Sequence, residues 1–370
     1  MQRRLEQPAW WKSFQTFRFA RCGAGWVCEW QMAMIARRRK GTFMTESRFD
    51  ILGIGNAIVD VIAHTDDAFL DRHDLRKGAM TLIDDARALE LYRQMPPGVE
   101  SAGGSVANSC AVAAGLGARA AFMGKVAADP LGDAFAGSMR MIGVHYPENG
   151  RVEGRGSTGR CLIAVTPDGQ RTMNTCLGIS ADFGAADLDE TLIGQSAFLY
   201  LEGYLFDPPA AQAAFLRAAS LARAAGQQVA ISLSDQFCVD RHRAAFRRLI
   251  AEAADIVFAN ESEICALYQC DTFEDAEAQA ASAVKLAVLT RGEAGSVIRA
   301  GDARHVIGAV STTLVDTTGA GDAYAAGFLT GLAKGANIEA CGALASRAAA
   351  LAIAQTGARP GAKELAGLMI

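Results

Sequence analysis

The stretch STTLVDTTGAGDAYAAGFLTGL, residues 311–332, places a run of small residues directly before an aspartate and an apolar, Ala-rich pattern. The small residues are Gly319, Ala320 and Gly321, and the aspartate is Asp322. N–H groups at a helix N-terminus lack partners and carry the positive end of the helix dipole. Glycines there leave room for a phosphate, and an adjacent carboxylate can accept a proton from an attacking hydroxyl. The stretch therefore predicts a phosphate-binding helix N-terminus with a general base beside it.

The same residues have a structural alternative, because Asp is a favoured helix N-cap and Gly is a common neighbour of one. Other phosphate motifs find no support in the sequence. The pattern GxxxxGK[ST] is absent, and GIGNAI, residues 53–58, lacks the third glycine of GxGxxG. The stretch taken alone leaves the cap and the phosphate site both open.

Short β-rich runs alternate with longer Ala- and Leu-rich stretches from Phe49 onward. This alternation predicts an α/β fold, in which a mostly parallel central sheet carries helices on both faces within one domain, residues 44–370. DILGIGNAIVDVIA, residues 50–63, has the pattern of a single strand, and residues 159–177 have that of a hairpin around TPDG. Short strands within about 60–85 and 160–177 predict a small second sheet that covers the strand ends as a lid.

The first 43 residues differ in composition from the rest of the chain. They hold nine of the 36 Lys and Arg residues, two of the 40 acidic residues and all four Trp, so the remainder has a net charge of −11. We expect a disordered or upstream extension, with the working chain starting near Met44. The acidic remainder argues against nucleic acid as the main partner, since phosphate backbones bind clustered positive charge.

Neither a secretory signal nor a membrane span is apparent in the sequence, because no window approaches 18 uninterrupted apolar residues. The nine cysteines form no CxxC pair and no Cys/His ligand spacing, so they indicate reduced thiols in a cytoplasmic protein. The sequence leaves a monomer and a homodimer both open.

The motif DTTGAGD, residues 316–322, resembles the C-terminal signature of the ribokinase-like (PfkB) sugar and nucleoside kinases. The resemblance extends from about Phe49 to Pro360 and implies a ribokinase-like fold, ATP as phosphoryl donor and Mg²⁺ as its companion. GNAIVD, residues 55–60, looks like the adenosine kinase branch, although many members of that branch carry a Pro-containing run at Ala57 and Ile58.

The resemblance implies roles for further residues. Each of them could instead have a purely structural role as a helix cap, a turn residue or a strand end. The nucleoside sugar would contact Asn56, Asp60, Gly103, Gly104 and Asn108. Asn260 and Glu263 would place phosphates and, indirectly, Mg²⁺; Thr290, Gly292, Gly295 and Ser346 would line the nucleotide site, Ser346 standing where ribokinases often have Asn. A monovalent cation, K⁺, would be held by oxygens around Asp316, Thr318 and Gly357.

The resemblance implies an ATP-dependent kinase that phosphorylates the 5′-hydroxyl of a nucleoside, with adenosine as the expected acceptor and its conversion to AMP as a step of purine salvage. Asp322 would accept the proton, and Gly319, Ala320 and Gly321 would form the anion hole. One alternative is a sugar kinase of the same family, for ribose, fructose or a keto-deoxy sugar acid. Another is a non-catalytic nucleoside sensor, which would be expected to lack Asp322 or the pair Asn260 and Glu263.

Overall fold

Strands and helices alternate along the chain from Phe49 onward, in a computed structural model that describes residues 20–22, 25–27, 48–154 and 156–368. The strands are β1 (Ala20–Cys22), β2 (Gly25–Val27), β3 (Phe49–Ile54), β4 (Ile58–His64), β5 (Met80–Leu82), β6 (Val99–Gly103), β7 (Ala120–Met123), β8 (Val126–Ala127), β9 (Arg151–Val152), β10 (Thr158–Val165), β11 (Arg171–Gly178), β12 (Ser196–Glu202), β13 (Gln228–Ser232), β14 (Ile256–Asn260), β15 (Leu286–Thr290), β16 (Ser296–Ala300) and β17 (Ala303–Ile307). The α-helices are α1 (Asp67–Arg72), α2 (Asp85–Gln94), α3 (Ser105–Gly115), α4 (Pro130–Met141), α5 (Glu190–Gly194), α6 (Pro209–Ala224), α7 (Gln236–Glu252), α8 (Glu261–Tyr268), α9 (Phe273–Ala283), α10 (Ala320–Ala333), α11 (Ile338–Ile353) and α12 (Ala362–Ala366).

The central sheet has eight strands in the order β17-β16-β15-β14-β13-β12-β3-β7. Every neighbouring pair from β15 to β7 is parallel, whereas β16 and β17 are antiparallel additions at one edge. Parallel neighbours require crossover connections, and the helices between the strands supply them. The predicted mostly parallel α/β sheet is therefore confirmed.

Helices cover both faces of this sheet, because alternate residues of a strand point to opposite sides. On one side, Leu52 of β3 shares a hydrophobic core with Phe215 of α6 and Phe246 of α7. On the other side, a Cβ at Gly53 would lie only 2.4 Å from Cγ1 of Val106 in α3. The missing side chain at Gly53 thus lets α3 pack directly on the sheet.

A second sheet of five strands has the order β5-β11-β10-β4-β6. Its centre is the antiparallel hairpin of β10 and β11, predicted from the alternation around TPDG, and β4 runs parallel to β10 on its other side. We call this five-stranded sheet the lid sheet. β8 and β9 form a separate parallel pair.

Residues 50–63 form two strands in different sheets, and the prediction of a single strand is wrong. β3 ends in the central sheet, and after three intervening residues β4 begins in the lid sheet. A Cβ at Gly55 would lie 2.3 Å from Oε2 of Glu202, and the N–H of Asn56 donates to Oε1 of Glu202 at 3.1 Å. The chain therefore turns around a buried carboxylate, which places Asn56 at the crossing and Asp60 inside β4 rather than at a strand's C-terminal end.

The remaining predictions about the chain ends concern residues with little described structure. Apart from β1 and β2, which pair antiparallel, the expected extension of residues 1–43 lies outside the described residues. Among the residues that are described, no helix combines the length and the apolar content that a membrane crossing requires.

Candidate active site

The glycine-rich stretch forms the N-terminus of α10 at the carboxyl edge of the central sheet. Gly319 is the N-cap residue with φ of +78°, and a Cβ there would lie 2.6 Å from Cα of Ala358. Apart from its chain neighbours and the backbone of its own helix, no atom of the described residues lies within 4 Å of the place that a Cβ of Gly321 would occupy. Gly319 thus provides the turn into the helix, and Gly321 leaves open space beside the first N–H groups, which can receive an anion.

Asp322 lies in the first turn of α10 and does not cap the helix, since Gly319 holds that position. Its Oδ1 accepts a hydrogen bond from Oγ of Ser105 at 2.6 Å, and its Oδ2 accepts one from Nδ2 of Asn108 at 3.2 Å. Both donors lie in α3, so two helix N-termini hold one carboxylate between them. Burial raises the pKa of Asp322 to about 6. A carboxylate with that pKa is a stronger base than an exposed aspartate and remains ionised at neutral pH.

A second carboxylate, that of Asp60, reaches the same region from the lid sheet. Burial raises its pKa to about 6, against the lowering effect of the positive charges of Arg359 and Arg171. A Cβ at Gly103 would lie 2.6 Å from the carboxylate of Asp60, so this glycine makes room for the side chain. Gly104 has φ of +96°, and a Cβ there would lie 2.1 Å from the carbonyl oxygen of Asn56. Gly103 therefore makes room for a side chain, and Gly104 allows a close approach of two backbone segments.

Glu202, at the end of β12, was missed by the sequence reasoning and organises the crossing between the sheets. It is 1% exposed and accepts hydrogen bonds from Nδ2 of Asn56 at 2.8 Å and from the backbone N–H groups of Asn56 and Val106 at 3.1 and 2.9 Å. Oδ1 of Asn56 accepts from Oγ of Ser180 at 2.9 Å. The amide of Asn56 is thus engaged within the protein. Burial raises the pKa of Glu202 to about 7.

Two arginines that the sequence reasoning also missed lie beside these carboxylates. Nε of Arg359 donates to Oδ1 of Asn108 at 2.8 Å, and Nη1 of Arg171 lies 2.7 Å from Oδ2 of Asp316 and 3.0 Å from Oγ1 of Thr318. Each guanidinium keeps one buried Nη2 without a hydrogen-bond partner in the described part of the chain. Burial lowers the pKa of Arg359 to about 10, so it stays charged at neutral pH. Unpaired guanidinium N–H groups beside an open helix N-terminus favour an anionic ligand.

Asp316, Thr318 and Gly357, the residues predicted for a cation site, lie together. The hydrogen-bond donors around the carboxylate of Asp316 do not fit a cation. The oxygens of Asp316 accept from N and Oγ1 of Thr318 at 3.0 and 2.7 Å and from the N–H of Gly357 at 2.8 Å. Nη1 of Arg171 forms an ion pair with Oδ2 of Asp316, so both carboxylate oxygens are engaged. Gly357 turns a donor N–H toward the carboxylate, which opposes a cation at that place.

The residues expected to serve the nucleotide lie at neighbouring strand ends and do not hydrogen-bond to Asp322. Asn260 and Glu263 form a reciprocal capping box at the start of α8, which is the structural alternative for this pair. Burial raises the pKa of Glu263 to about 7, and the negative charge of Asp322 adds to that effect. The two carboxylates therefore interact electrostatically. Thr290 ends β15, and its Oγ1 donates to the carbonyl oxygen of Ala259 at 3.5 Å.

Gly292, Gly295 and Ser346 lie further along the same edge. Gly292 and Gly295 have φ of +55° and +80° in the turn between β15 and β16, and a Cβ at Gly295 would lie 2.1 Å from the carbonyl oxygen of Ile307. Ser346 is buried in α11 near Tyr324 of α10, whose hydroxyl hydrogen-bonds to Oγ of Ser296 at 2.5 Å. These contacts explain the residue types by packing and leave a nucleotide role as a prediction.

Comparison with known proteins agrees with this geometry. The model of the pfkB family of carbohydrate kinases matches residues 79–365. Adenosine kinase 1 of Arabidopsis thaliana is 28% identical over 330 residues, which cover 80% of this chain and 92% of that protein. Fructokinase-1 of Oryza sativa subsp. japonica is 31% identical over 244 residues, which cover 64% of this chain and 75% of that protein.

Two solved structures share both sequence and fold with this chain. The adenosine kinase of Sinorhizobium meliloti is 46% identical, with a TM-score of 0.80 over 86% of this chain and 98% of its own. A probable sugar kinase of Rhizobium etli CFN 42 is 44% identical, with a TM-score of 0.80 over 87% of this chain and 100% of its own. The chain therefore belongs to the pfkB family of carbohydrate kinases and is an ATP-dependent kinase with the ribokinase-like fold.

Proposed function

We propose that this kinase transfers the γ-phosphoryl group of ATP to the 5′-hydroxyl of a nucleoside, with adenosine as the preferred acceptor and AMP as product. The observation that carries the proposal is the carboxylate of Asp322, held by Ser105 and Asn108 at the open N-terminus of α10. The adenosine kinases among the similar proteins support a nucleoside as acceptor.

In the proposed reaction, Asp60 accepts hydrogen bonds from ribose hydroxyls and directs the 5′-hydroxyl toward Asp322. Asp322 takes the hydroxyl proton as the hydroxyl oxygen attacks the γ-phosphorus, and the bond to the leaving ADP oxygen breaks. The N–H groups of residues 319–321 stabilise the developing negative charge, together with the unpaired Nη2 groups of Arg171 and Arg359. Asn108 orients Asp322 and is itself fixed by Arg359, so it acts as a positioning residue.

Mg²⁺, when bound, would neutralise charge on the ATP phosphates. Glu263 would meet it through water, since Oε2 of Glu263 accepts from the N–H of Asn260 at 2.9 Å and Oε1 accepts from Nδ2 of Asn260 at 2.7 Å. The carboxylate is therefore already engaged on both oxygens, and its charge is available at a distance rather than as a direct ligand. K⁺ was predicted at Asp316, Thr318 and Gly357, where both oxygens of the Asp316 carboxylate are already engaged. The proposed reaction therefore has no step that uses K⁺.

The lid sheet next to Asp60 favours a nucleoside over a sugar. Ile62 lies two residues after Asp60 on the same face of β4, in register with Ile163 of β10, which is in register with Met173 of β11. This apolar row can cover the flat face of a base, whereas a free sugar would meet it with hydroxyl groups that find no partner. The sugar kinases among the similar proteins keep a sugar acceptor as the second candidate.

One assay separates these candidates. Purified protein is given ATP and Mg²⁺ with each of adenosine, other nucleosides, ribose, fructose and a keto-deoxy sugar acid, and ADP formation is followed. We expect adenosine to give the highest kcat/KM. A sugar that outperforms every nucleoside would establish the sugar kinase instead, and adenosine binding without turnover would establish the sensor.

The pH profile of kcat/KM should fall on the acid side of about pH 6. Both Asp60 and Asp322 have pKa values raised to about 6, and both must be ionised to accept protons or hydrogen bonds. Below that pH, log kcat/KM should approach a slope of about two against pH, because kcat/KM reports the free enzyme. Asp60→Asn should reduce the limiting slope to about one. A profile that stays flat down to pH 5 would contradict both roles.

We also infer a cytoplasmic enzyme that acts as a monomer or a homodimer. The cysteines described within residues 48–154 and 156–368 are free thiols, which suits a reducing compartment: Cys110, Cys161, Cys176, Cys238, Cys265, Cys270 and Cys341. ATP is also available in that compartment as a phosphoryl donor.

A further inference from the structure

The guanidinium of Arg171 links the lid sheet to the loop that leads into α10. Arg171 is the first residue of β11, and its Nη1 lies 2.7 Å from Oδ2 of Asp316 and donates to Oγ1 of Thr318 at 3.0 Å. The side chain of Arg171 is only 15% exposed and that of Asp316 only 8%, so solvent screens this ion pair weakly. The pair therefore differs from the exposed ion pairs on the surface, which contribute little.

Both oxygens of the Asp316 carboxylate are already engaged. Oδ1 accepts from N and Oγ1 of Thr318, and Oδ2 accepts from the N–H of Gly357 and forms an ion pair with Nη1 of Arg171 at 2.7 Å. A monovalent cation at this place would have to displace a guanidinium and would face the donor N–H of Gly357. It would also lie beside a positive charge that cannot be deprotonated near neutral pH.

We propose that Arg171 takes the place of a monovalent cation at Asp316, so that the loop before the anion hole is ordered by the lid sheet and not by dissolved K⁺. The inference rests on the proposed function, because it concerns the residues that shape the anion hole. It makes Arg171 a positioning residue through Asp316, in addition to any contact that its free Nη2 makes with phosphate.

The position of Arg171 on the lid sheet distinguishes it from a bound ion. Oγ1 of the next residue, Thr172, accepts from the N–H of Gly78 at 3.1 Å, and Nζ of Lys77 lies 2.7 Å from Oδ2 of Asp168 in the hairpin turn. Arg171 is thus fixed to the rest of the lid sheet and must move with it. A movement of the lid sheet away from α10 removes the charge from Asp316, whereas a bound ion would remain in the loop.

The test compares K⁺, Na⁺ and choline at equal ionic strength in the full chain, with two readouts, the melting temperature without substrate and the turnover. We expect no difference among the three salts for the wild type. In Arg171→Gln the site beside Asp316 is vacant, so K⁺ should raise the melting temperature by about 2–4 °C over choline and restore part of the lost turnover. Arg171→Lys supplies a charge again, and its K⁺ response should be smaller than that of Arg171→Gln.

Arg160→Gln is the matched control. Arg160 is also a buried arginine of the lid sheet, 3% exposed, but its Nη2 lies 3.5 Å from Asp85 and it has no contact with Asp316. This variant should lose stability equally in all three salts. A K⁺-specific rise in melting temperature of the wild type would overturn the proposal, and so would an Arg171→Gln variant as insensitive to K⁺ as the wild type.

The melting temperatures keep this result separate from the proposed function. They require no substrate, so a protein that phosphorylates none of the acceptors tested still decides whether Arg171 replaces the cation. If Arg171→Gln does not fold, Arg171→Met takes its place, since it keeps the length of the side chain without the charge. A K⁺ response in Arg171→Met with none in the wild type supports the proposal, and equal insensitivity of both to K⁺ contradicts it.

Discussion

Asp322→Asn should fold as the wild type does and lose on the order of 10²–10⁴ in turnover, because an amide cannot take the proton of the attacking hydroxyl. Asn can still accept hydrogen bonds through its Oδ1, and Gly319 rather than Asp322 caps α10, so the free energy of unfolding should change by less than about 1 kcal/mol. Nucleoside affinity should survive, since Asp60 and the Gly103-Gly104 pair are unchanged. Turnover, nucleoside affinity and unfolding are measured on the same preparation.

Asp255→Asn is the matched control for this variant. Asp255 precedes β14 at the amino edge of the central sheet, away from α10, and it is also a buried carboxylate, bonded to the N–H of Val229 and to Lys285. Its replacement should lower stability and leave the turnover of folded protein unchanged. An Asp322→Asn enzyme that turns over close to the wild-type rate would remove the case for a general base at this position.

Gly104→Ala should lower the stability of the protein strongly. The residue has φ of +96°, and the new Cβ would lie 2.1 Å from the carbonyl oxygen of Asn56, which is backbone and cannot move away easily. The backbone conformation alone costs about 1–3 kcal/mol for a non-glycine residue, and the clash adds to it. We expect a melting temperature at least several degrees lower, with little soluble active enzyme.

Alanine substitutions of two other glycines test this explanation. Gly335→Ala has a similar φ of +79°, but apart from the chain neighbours no described residue has an atom within 4 Å of the new Cβ, so it should show the conformational cost without the clash. Gly103→Ala places its Cβ 2.6 Å from the carboxylate of Asp60, a side chain that can move. It should therefore raise KM more than it lowers stability. Equal melting temperatures for Gly104→Ala and Gly335→Ala would contradict the clash.

The parts of the site that the sequence predicted are those set by neighbouring residues. A glycine-rich turn followed by an apolar helix is a local pattern, so a helix N-terminus with Asp322 beside it could be deduced from residues 316–332. The choice between an N-cap and the first turn could not, because it depends on the cap at Gly319. The hairpin of β10 and β11 was predictable, since alternation and turn chemistry are local. The Gly-Gly pair was identified by resemblance, and the two clashes that require it appear only in three dimensions.

The features that the sequence did not reveal depend on contacts between distant residues. Glu202 ends an apolar strand and accepts from Asn56, 146 positions away, and the donors to Asp322 come from residues more than 200 positions earlier. The strand prediction for residues 50–63 failed because the chain turns at Gly55 against Glu202, a contact between distant residues. A charged residue at the end of an apolar strand was the single signal available for it. Arg171 gave no such signal, because nothing near it in the sequence indicates Asp316 as its partner.

The arrangement around Asp322 has a consequence for how this enzyme could diversify. Asp322 and its two donors all belong to α10 and α3, which pack on the central sheet, whereas Asp60 and the apolar row of Ile62, Ile163 and Met173 belong to the lid sheet. Under the proposed mechanism, the groups that perform the chemistry and the groups that select the acceptor are inherited as separate blocks. Substitutions in three strands of the lid sheet can then change the accepted substrate without altering the geometry at Asp322. Duplicated copies of such a gene could acquire new acceptors by drift in one block while selection conserves the other.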